Sequence, residues 1–416
     1  MKIAIIGSGI SGNVVAYKLH KEHNITVFES ADYIGGHVNT IDFELENQLY
    51  SVDTGFIVFN DRTYSNFISL LEELNVEDQS TNMSFSVSCN KSGLEYSGTN
   101  LNTIFSQRRN LLSLTYHRML LDIIKFNKNS VKYINQNHSD ISLGEYLNKN
   151  NYSEFFIDKY LVPMSSAIWS SKPRNIFSMP LKFLVNFFDN HGLLSLANRP
   201  TWKVIKGGSK EYLKKLILGY QEKIRVNQSI ESITRHSDKV EISHNDGKSQ
   251  RFDCVFLACH SDQALRILSD PSKNEEAILG AIKYQTNEAI LHTDESFLPK
   301  NKRAWAAWNY NIPKQEQELV TLTYNMNILQ GINSKYTFCV TLNNSSQIKK
   351  DKIIRKIEYQ HPIFTNSAIE AQASHSLISN NRTFYCGAYW YNGFHEDGVV
   401  SALEAIKHFE GSALSE

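Results

Sequence analysis

Two hydrophobic periods alternate along the chain, one typical of buried strands and one typical of amphipathic helices. Short, mostly apolar runs predict buried strands at residues 2–6, 25–28, 224–226, 253–259, 288–293, 319–324 and 383–387. A β-meander pattern follows at 229–234 and 239–243. Apolar side chains at helical spacing predict helices at residues 13–21, 60–75, 110–135, 143–162, 177–197, 211–218 and 398–408. We therefore expect an α/β chain in which a parallel sheet is interrupted by helical and β-rich insertions.

The composition suits a large folded protein and excludes several classes. Lys and Arg together number 43, as do Asp and Glu, so the chain lacks the basic excess typical of nucleic-acid-binding proteins. Hydrophobic residues make up 41% of the 416 residues, which is enough for a large core. The five cysteines are scattered without a Cys-x-x-Cys pair, which favours a reducing compartment. The histidines show no metal-ligand spacing, so no metal is expected.

The N-terminal segment does not resemble a targeting signal. Its apolar stretch is short and leads directly into a glycine motif, whereas a signal peptide needs a longer apolar region. No apolar run in the chain reaches the ~18 residues of a membrane span. We therefore expect a cytoplasmic protein, and its oligomeric state stays open.

A glycine-rich turn follows the first predicted strand. Gly7, Gly9 and Gly12 match the pattern G-x-G-x-x-G, and the second predicted strand ends at Glu29. In a dinucleotide-binding fold these glycines permit a tight turn, close approach of the backbone to a pyrophosphate, and packing of helix on strand. The helix N-terminus then attracts the phosphates, Ser11 adds a hydroxyl donor, and Glu29 accepts from the adenosine ribose. The motif therefore predicts a dinucleotide site.

A second glycine motif indicates which dinucleotide binds. The residues that form it and the segment after it are Gly35, Gly36, His37, Asp53, Gly55, Phe56 and Ile57. They resemble the flavin-containing amine oxidase superfamily, which also holds phytoene desaturases and protoporphyrinogen oxidase. The resemblance implies FAD, with the backbone of the Asp-x-Gly segment beside the isoalloxazine ring. His37 stands where the family usually has Arg, so a neutral imidazole would donate one hydrogen bond there.

Two further stretches extend the resemblance. A glycine pair at 207–208 opens a predicted helix, and the strand after it implies that the backbone of Val226 pairs with the adenine edge. The C-terminal stretch 393–398 resembles the family's Gly-Tyr-Met-Glu-Gly-Ala motif, whose helix start directs backbone donors at the flavin pyrimidine carbonyl. The implied cofactor residues in this region are Gly387, Phe394, His395 and Glu396. No cysteine is placed for a covalent link, so we expect non-covalent FAD.

The chain also resembles a narrower group of bacterial FAD-dependent oxidoreductases, whose genes often lie near cyclopropane-fatty-acid-synthase-like methyltransferases. The tracts that carry this resemblance are residues 83–86, 107–111, 167–169, 190–194, 262–265, 291–294, 305–310 and 393–398. Some relatives desaturate methylated acyl chains, and a bacterial polyunsaturated fatty-acid isomerase shares the broader fold. The resemblance therefore implies a hydrophobic substrate of acyl type.

The resemblance also implies an amine oxidase-like fold, with a Rossmann-like FAD-binding domain and an interleaved α+β substrate domain. We assign residues 1–75, 201–270 and 376–416 to the FAD-binding domain. The intervening residues 76–200 are expected to form a mostly helical substrate cap, and residues 271–375 a β-rich substrate part.

Three residues are candidates for the catalytic step. His191 interrupts a hydrophobic stretch and would titrate near neutrality, although a histidine that only caps a helix or fills the core is the more common case. Phe394 and Tyr391 are candidates for aromatic walls in front of the flavin, with core packing as the alternative. Amine oxidases often carry a Lys near flavin N5, whereas the register of this chain places Asn287 or Glu288 there.

The expected function is that of an FAD-dependent oxidoreductase that abstracts hydride from a hydrophobic substrate and so desaturates or isomerises a fatty-acyl chain. The alternatives are a flavin-containing amine oxidase, which the missing Lys disfavours, and a flavoprotein without turnover. The expected partner is a hydrophobic small molecule or an acyl lipid. Arg108 and Arg109, beside the apolar stretch 111–126, would meet lipid headgroups at the inner membrane face or simply face solvent.

Overall fold

The computed structural model of the protein describes residues 1–136, 141–195, 199–315 and 319–412. Its strands are Lys2–Ile6, Asn24–Phe28, Thr40–Leu45, Gln48–Asp53, Phe59–Asn60, Asp78–Ser80, Phe85–Cys89, Leu94–Ser97, Trp202–Ile205, Ile224–Arg225, Ile230–Arg235, Val240–His244, Ser249–Phe252, Cys254–Leu257, Lys283–His292, Trp308–Ile312, Thr321–Asn325, Cys339–Leu342, Ile353–Ile363 and Thr383–Tyr385. Its α-helices are Ile10–Leu19, Ser65–Glu73, Leu101–Ile104, Leu114–Asn135, Leu143–Lys149, Glu154–Phe156, Val162–Trp169, Pro173–Phe177, Leu181–Asn190, Lys210–Ile217, Ser261–Ile267, Lys273–Ala281, Met326–Gln330, Asn366–Ala373 and His395–Glu410.

Five parallel strands form the nucleotide-binding sheet, in the order Ile224–Arg225, Asn24–Phe28, Lys2–Ile6, Cys254–Leu257 and Thr383–Tyr385. The strands read as apolar runs because both faces of the sheet are covered. One face packs on the helices Ile10–Leu19 and His395–Glu410, and the other packs on the meander strands and the helix Ser261–Ile267. This is the Rossmann-like α/β arrangement that the sequence predicts, except that the strand expected at 224–226 ends at Arg225.

The first and last long helices meet at a glycine. A Cβ at Gly398 would lie 2.5 Å from Ile10 Cγ2, so a larger residue there would force the two helices apart. The Ser11 hydroxyl donates to the Gly398 carbonyl at 2.8 Å and joins the helices directly. Gly398 replaces the Ala of the resembled motif, and its lack of a side chain brings the C-terminal stretch 393–398 against the glycine-rich turn.

A seven-stranded mixed sheet forms the second layer, in the order Ile353–Ile363, Lys283–His292, Cys339–Leu342, Thr321–Asn325, Trp308–Ile312, Phe85–Cys89 and Leu94–Ser97. Its last two strands come from the part that the sequence predicted as mostly helical. Phe85–Cys89 pairs in parallel with Trp308–Ile312, so the sheet joins residues from both substrate segments. The hydrophobic pattern does not predict the strand Phe85–Cys89, because serines occupy alternate positions in it. One of them, Ser86, is fully buried despite its polar side chain.

The helical part differs in detail from the predicted spans. The single helix expected at 143–162 is wrong, because Leu143–Lys149 ends near Asn151, which has a left-handed φ of 52°. The chain then restarts at the N-cap Ser153, whose hydroxyl accepts from the Phe156 amide. The helix expected at 177–197 is shorter, Leu181–Asn190, because Pro180 precedes its start and Gly192 follows its end with φ of +67°. Residues 196–197 of that prediction lie outside the described part.

Smaller elements complete the molecule. The strands Ile230–Arg235, Val240–His244 and Ser249–Phe252 form the predicted antiparallel meander. A hairpin of Thr40–Leu45 and Gln48–Asp53 lies at the start of the Asp-x-Gly segment. Within the described ranges, no helix combines the length and apolar character needed to cross a bilayer.

Candidate active site

A cavity of about 1320 Å³ begins at the glycine-rich turn and extends into the helical part of the chain. The predicted cofactor residues that line it are Gly7, Gly9, Ser11, Glu29, Gly35, Gly36, His37, Gly55, Phe56, Ile57, Gly387, Phe394 and His395. Residues separated by almost the whole chain therefore meet at one place. The other predicted cofactor residues, Gly12, Asp53, Val226 and Glu396, are not part of the described lining.

The glycine-rich turn has the geometry of a phosphate cradle. Gly7 has a φ of +105°, and a Cβ at Gly12 would lie 2.0 Å from the Gly7 carbonyl oxygen. A Cβ at Gly9 would instead meet no protein atom within 4 Å, so the bare backbone leaves open space beside the cavity. The helix beginning at Ile10 has no side-chain cap and no acidic residue in its first turn. Its unpaired N–H groups therefore fit a dinucleotide pyrophosphate.

The adenosine end of the cavity is organised by Glu29. Its Oε2 atom accepts from the Ser8 amide at 2.9 Å and from the Ser8 hydroxyl at 2.7 Å, while Oε1 accepts from the Ala31 amide at 2.9 Å. These bonds fix the carboxylate beside the cavity, with lone pairs left for ribose hydroxyls. The Ser11 hydroxyl is not a free donor as predicted, because it is committed to the Gly398 carbonyl.

Val226 does not reach the cavity. It follows the short strand Ile224–Arg225, and the wall of the cavity in that region consists of Gln228, Ser229 and Ile230. The adenine contact of the Val226 backbone stays a prediction.

The second glycine pair packs on the first. Gly36 has a φ of +60°, and a Cβ there would lie 3.4 Å from Gly9 Cα, so the two glycine segments approach closely. The next residue, His37, stacks on Tyr359 with ring centroids 4.7 Å apart. Its Nε2 atom is buried and has no protein partner. Burial, with His361 nearby, lowers the pKa of His37 well below its usual value, so the imidazole is neutral. An unpaired buried nitrogen at this point fits a ligand that accepts or donates one hydrogen bond.

His361 is a cavity residue that the sequence analysis missed. It lies in the wall on the strand Ile353–Ile363, and burial lowers its pKa to about 4. The Asn287 amide donates to His361 Nδ1 at 2.8 Å, which leaves the ring proton on Nε2. Asn287, one of the two positions considered for the family's Lys, thus holds a neutral imidazole donor. The polar pair Gln360–His361 inside a strand was the signal in the sequence.

The C-terminal stretch places His395 in the lining. Its ring stacks on Phe56 at 3.7 Å with an interplanar angle of 10°, and its Nε2 atom pairs with the Tyr212 hydroxyl. Burial lowers the pKa of His395 to about 3. Glu396 instead turns away from the cavity, because its carboxylate accepts from the amides of Asn66 and Phe67 at 2.9 and 2.8 Å. It thereby caps the start of the helix Ser65–Glu73, which gives it a structural role, and its cofactor contact stays a prediction.

Asp53 is likewise a structural residue. Its carboxylate is fully buried and accepts from the Ser209 amide and hydroxyl, from the Thr40 hydroxyl and from the Gln330 side chain. Burial raises its pKa to about 6. The side chain thereby ties the hairpin before Gly55 to the helix Lys210–Ile217 and does not itself face the cavity.

His191 lies in the wall, at the end of the helix Leu181–Asn190. Its Nδ1–H donates to the Phe187 carbonyl at 2.9 Å, and its Nε2 atom lies 3.3 Å from the Thr63 hydroxyl, which donates to it. Burial lowers its pKa to about 4, so the expected titration near neutrality is wrong. The ring stacks on Phe187, which in turn stacks on Phe394 at 4.9 Å.

Tyr391 is not part of the described lining. Its hydroxyl interacts with Glu404, and burial together with that carboxylate raises its pKa. The neighbouring Trp390 stacks on His375 within the core. Of the aromatic run 389–391, only Tyr389 reaches the cavity, so the prediction of Tyr391 as a wall residue is corrected.

The far end of the cavity, which we call the apolar end, is formed by lining residues from 56–99, 160–202 and 308–324. Its larger side chains are Met83, Phe85, Tyr96, Tyr160, Met164, Ile168, Trp169, Phe187, Trp202, Trp308 and Tyr324. Arg199 is the only formally charged residue among the described residues of this end, and it is exposed. In the described ranges no three His, Cys, Asp or Glu side chains are arranged to hold a metal ion.

Comparison with known proteins identifies one matching family model and several solved structures with the same fold. A family model for flavin containing amine oxidoreductase matches residues 10–343. A putative protoporphyrinogen oxidase from Exiguobacterium sp. (TM-score 0.70, 16% identity) and a CLA-producing fatty acid isomerase from P. acnes (TM-score 0.68, 14% identity) have the same fold over 98% of both chains. A cyclohexylamine oxidase from Brevibacterium oxydans (TM-score 0.65, 13% identity) matches over 98% of this chain and 99% of that chain. No curated protein matches the sequence.

Proposed function

The chain belongs to the flavin-containing amine oxidoreductase family and is an FAD-dependent oxidoreductase, and we propose that its substrate is a fatty-acyl chain that it desaturates or isomerises. The observation that carries this proposal is the apolar end of the cavity. Its larger side chains are aromatic and aliphatic, and it belongs to the same cavity as the glycine cradle. A long hydrocarbon chain suits such a wall because its binding is driven by the burial of apolar surface.

The charge of the apolar end supports an acyl substrate over an amine. Its described lining contains no carboxylate, so a protonated amine would enter without an anionic partner. Arg199 is exposed, and its Nε atom donates to the Ser195 carbonyl at 3.0 Å. Its Nη groups make no hydrogen bond to the described residues and are placed to meet an acyl carboxylate. The apolar wall inside the cavity matches the hydrocarbon chain of a fatty acid, and the exposed Arg199 matches its carboxylate.

An amine oxidase remains the second candidate, because aromatic rings can attract an ammonium group through their faces. The arrangement of the Phe187 and Phe394 rings in the cavity wall disfavours an amine substrate. Phe187 and Phe394 stack on each other with centroids 4.9 Å apart and an interplanar angle of 25°. Two rings in mutual contact leave no space for an amine between them.

In the proposed reaction the protein holds the cofactor, orients the acyl chain and excludes water from both. Bound FAD supplies the hydride-accepting ring. The glycine cradle, Glu29 and His37 fit its pyrophosphate and ribose groups, as described above. The apolar end excludes water from the acyl chain, and His361 offers a neutral N–H donor near the glycine pair. Because both His361 and His191 have pKa values of about 4, each stays neutral at physiological pH.

Product analysis tests the proposal. The purified holoprotein is incubated with unsaturated and methylated acyl chains, both free and in phospholipid, and in parallel with simple amines. Mass spectrometry then distinguishes three outcomes. An acyl product that has lost two hydrogens shows desaturation, and an acyl product of unchanged mass with a moved double bond shows isomerisation. Conversion of amines alone would overturn the acyl proposal and establish the second candidate.

A further inference from the structure

One corner of the molecule exposes leucines to an unusual degree. Leu112 is 90% exposed, Leu114 87%, Leu101 76%, Leu121 63% and Leu111 49%. All five lie within the segment 101–121, which we call the leucine corner. Single exposed leucines are common on protein surfaces, but a cluster in one short segment is typical of an interaction site.

The leucine corner is held in place by defined contacts. The Ser113 hydroxyl accepts from the Tyr116 amide and caps the helix Leu114–Asn135. The His117 ring contacts the Leu111 carbonyl at 2.8 Å, and the Tyr116 hydroxyl donates to the Ile104 carbonyl at 2.7 Å. These contacts order the backbone that carries the exposed leucines. A partner that binds there therefore does not have to order that backbone.

The charge around the leucines is positive. The sequence from residue 96 to residue 121 contains no Asp or Glu, but it contains Arg108, Arg109 and Arg118, of which Arg118 is paired with Asp122 at 3.4 Å. The described partners of the Arg108 and Arg109 guanidinium groups are backbone carbonyls and amide side chains, with no carboxylate among them. Their charge is therefore not neutralised within the described part of the protein. Exposed leucines beside arginines without a carboxylate partner complement a membrane surface, in which an anionic headgroup layer covers an apolar acyl layer.

The corner also adjoins the cavity. Tyr96, Gly98 and Thr99 line the cavity, and Leu101 follows two positions after Thr99. The Thr103 hydroxyl donates to the Ser97 carbonyl at 3.0 Å, which ties the start of the corner to the strand beside the cavity wall. A surface that engages the leucines would thus lie next to the apolar end.

We propose that the leucine corner docks the protein on an anionic phospholipid membrane, with the leucines in the acyl boundary and Arg108 and Arg109 at the headgroups. The binding is peripheral and reversible, and it places the apolar end of the cavity beside a source of acyl chains. The inference is independent of the reaction. A protein that fails to bind vesicles can still turn over free fatty acids, and a protein that binds them can still act on another substrate.

Vesicle flotation of the FAD-loaded protein tests the proposal. Two vesicle compositions are used, pure phosphatidylcholine and phosphatidylcholine with phosphatidylglycerol. The variants are the double substitution Leu112→Ser/Leu114→Ser and the double substitution Arg108→Gln/Arg109→Gln. The matched control is Leu49→Ser/Leu218→Ser, which changes leucines that are 78% and 76% exposed elsewhere on the surface. The flavin absorbance per protein confirms that each variant is folded.

The expected result is binding to the anionic vesicles that weakens with added salt. The leucine variant loses at least about tenfold in apparent affinity, and the arginine variant loses about thirtyfold on anionic vesicles only, at roughly 1 kcal/mol for each of its two arginines. The control binds like the unchanged protein. Absence of vesicle binding, or an equal loss in the control, would overturn the proposal. So would a leucine variant that binds vesicles normally but elutes as a smaller species than the unchanged protein in size-exclusion chromatography, because the corner would then be a contact between protein copies.

Discussion

At the scale of single residues, two buried histidines, His37 and His361, line the cavity as neutral imidazoles. His37 stands at the place of an Arg, and Asn287 with His361 stands at the place considered for a Lys. Burial keeps both imidazoles uncharged. A neutral imidazole can donate one hydrogen bond without the cost of burying a charge.

The unpaired nitrogen of His37 leads to a prediction about cofactor affinity. Replacement His37→Leu should weaken FAD binding about fivefold, because about 1 kcal/mol is typical of one lost hydrogen bond. His37→Gln should restore most of the affinity, since an amide can donate in its place. Titration of the apoprotein with FAD, followed by flavin fluorescence, measures both. Because the pKa of His37 lies well below its usual value, the affinity should be the same at pH 6 and pH 8. Equal affinity of the two variants would contradict the assigned contact.

Arg199 gives a prediction about substrate charge. Arg199→Gln should raise KM for a free fatty acid about fivefold, at about 1 kcal/mol for an exposed charge pair, and leave KM for its methyl ester unchanged. The control Arg251→Gln changes an exposed arginine on the meander and should affect neither substrate. Steady-state kinetics on the acid and the ester give the comparison. A loss that is the same for both would show that Arg199 does not bind the carboxylate.

At the scale of elements, the sequence predicts the nucleotide-binding strands and glycine turn well because local rules determine them. A buried strand is apolar on both faces, and the turn needs glycine at fixed positions. Other side chains take positions that the sequence does not predict, because those positions depend on contacts with distant segments. The carboxylate of Glu396 meets the helix Ser65–Glu73, and Tyr391 turns toward Glu404, neither of which is visible in the local pattern. The strand Phe85–Cys89 is hidden for the same reason, because its serines are buried by a neighbour more than 200 positions away.

The contact of Glu396 with a helix start predicts a change in stability rather than in cofactor binding. Glu396→Gln should lower the free energy of unfolding by about 1 to 2 kcal/mol, since a charged cap at a helix N-terminus is lost. Urea unfolding measures the effect, with Glu222→Gln as the control for an exposed carboxylate. The affinity for FAD should be unchanged. Unaltered stability together with weaker FAD binding would favour the original cofactor role.

At the scale of the whole molecule, the fold buries many titratable groups while it assembles one cavity from distant segments. Burial lowers the pKa of four histidines to about 4 and that of a fifth, His395, to about 3; the four are His191, His292, His361 and His375. The unfolded chain binds protons at these histidines below a pKa of ~6.5. Their contribution to stability is therefore present above about pH 6.5 and is lost as the pH falls toward 4.

Two buried carboxyl groups act in the opposite direction. Burial raises the pKa of Asp53 to about 6 and that of Asp397 to about 7. The folded state keeps these protons where the unfolded chain releases them, so their contribution is lost as the pH rises. The five histidines outnumber the two carboxyl groups, so near pH 5 the unfolded chain binds about three more protons than the folded protein. We therefore predict that the free energy of unfolding falls by about 4 kcal/mol for each unit by which the pH is lowered there. Urea unfolding at pH 5, 6 and 7 measures the slope. Stability that stays constant or increases on acidification would contradict it.

We propose that one cavity holds FAD and an acyl chain within reach of each other. Anaerobic titration of the holoprotein tests it most directly, because the oxidised flavin loses its visible absorbance when it accepts a hydride. We predict that fatty-acyl chains bleach or perturb the flavin spectrum, and that simple amines leave it unchanged. A protein that carries no flavin, or one whose flavin is bleached by amines and ignores acyl chains, would contradict the account.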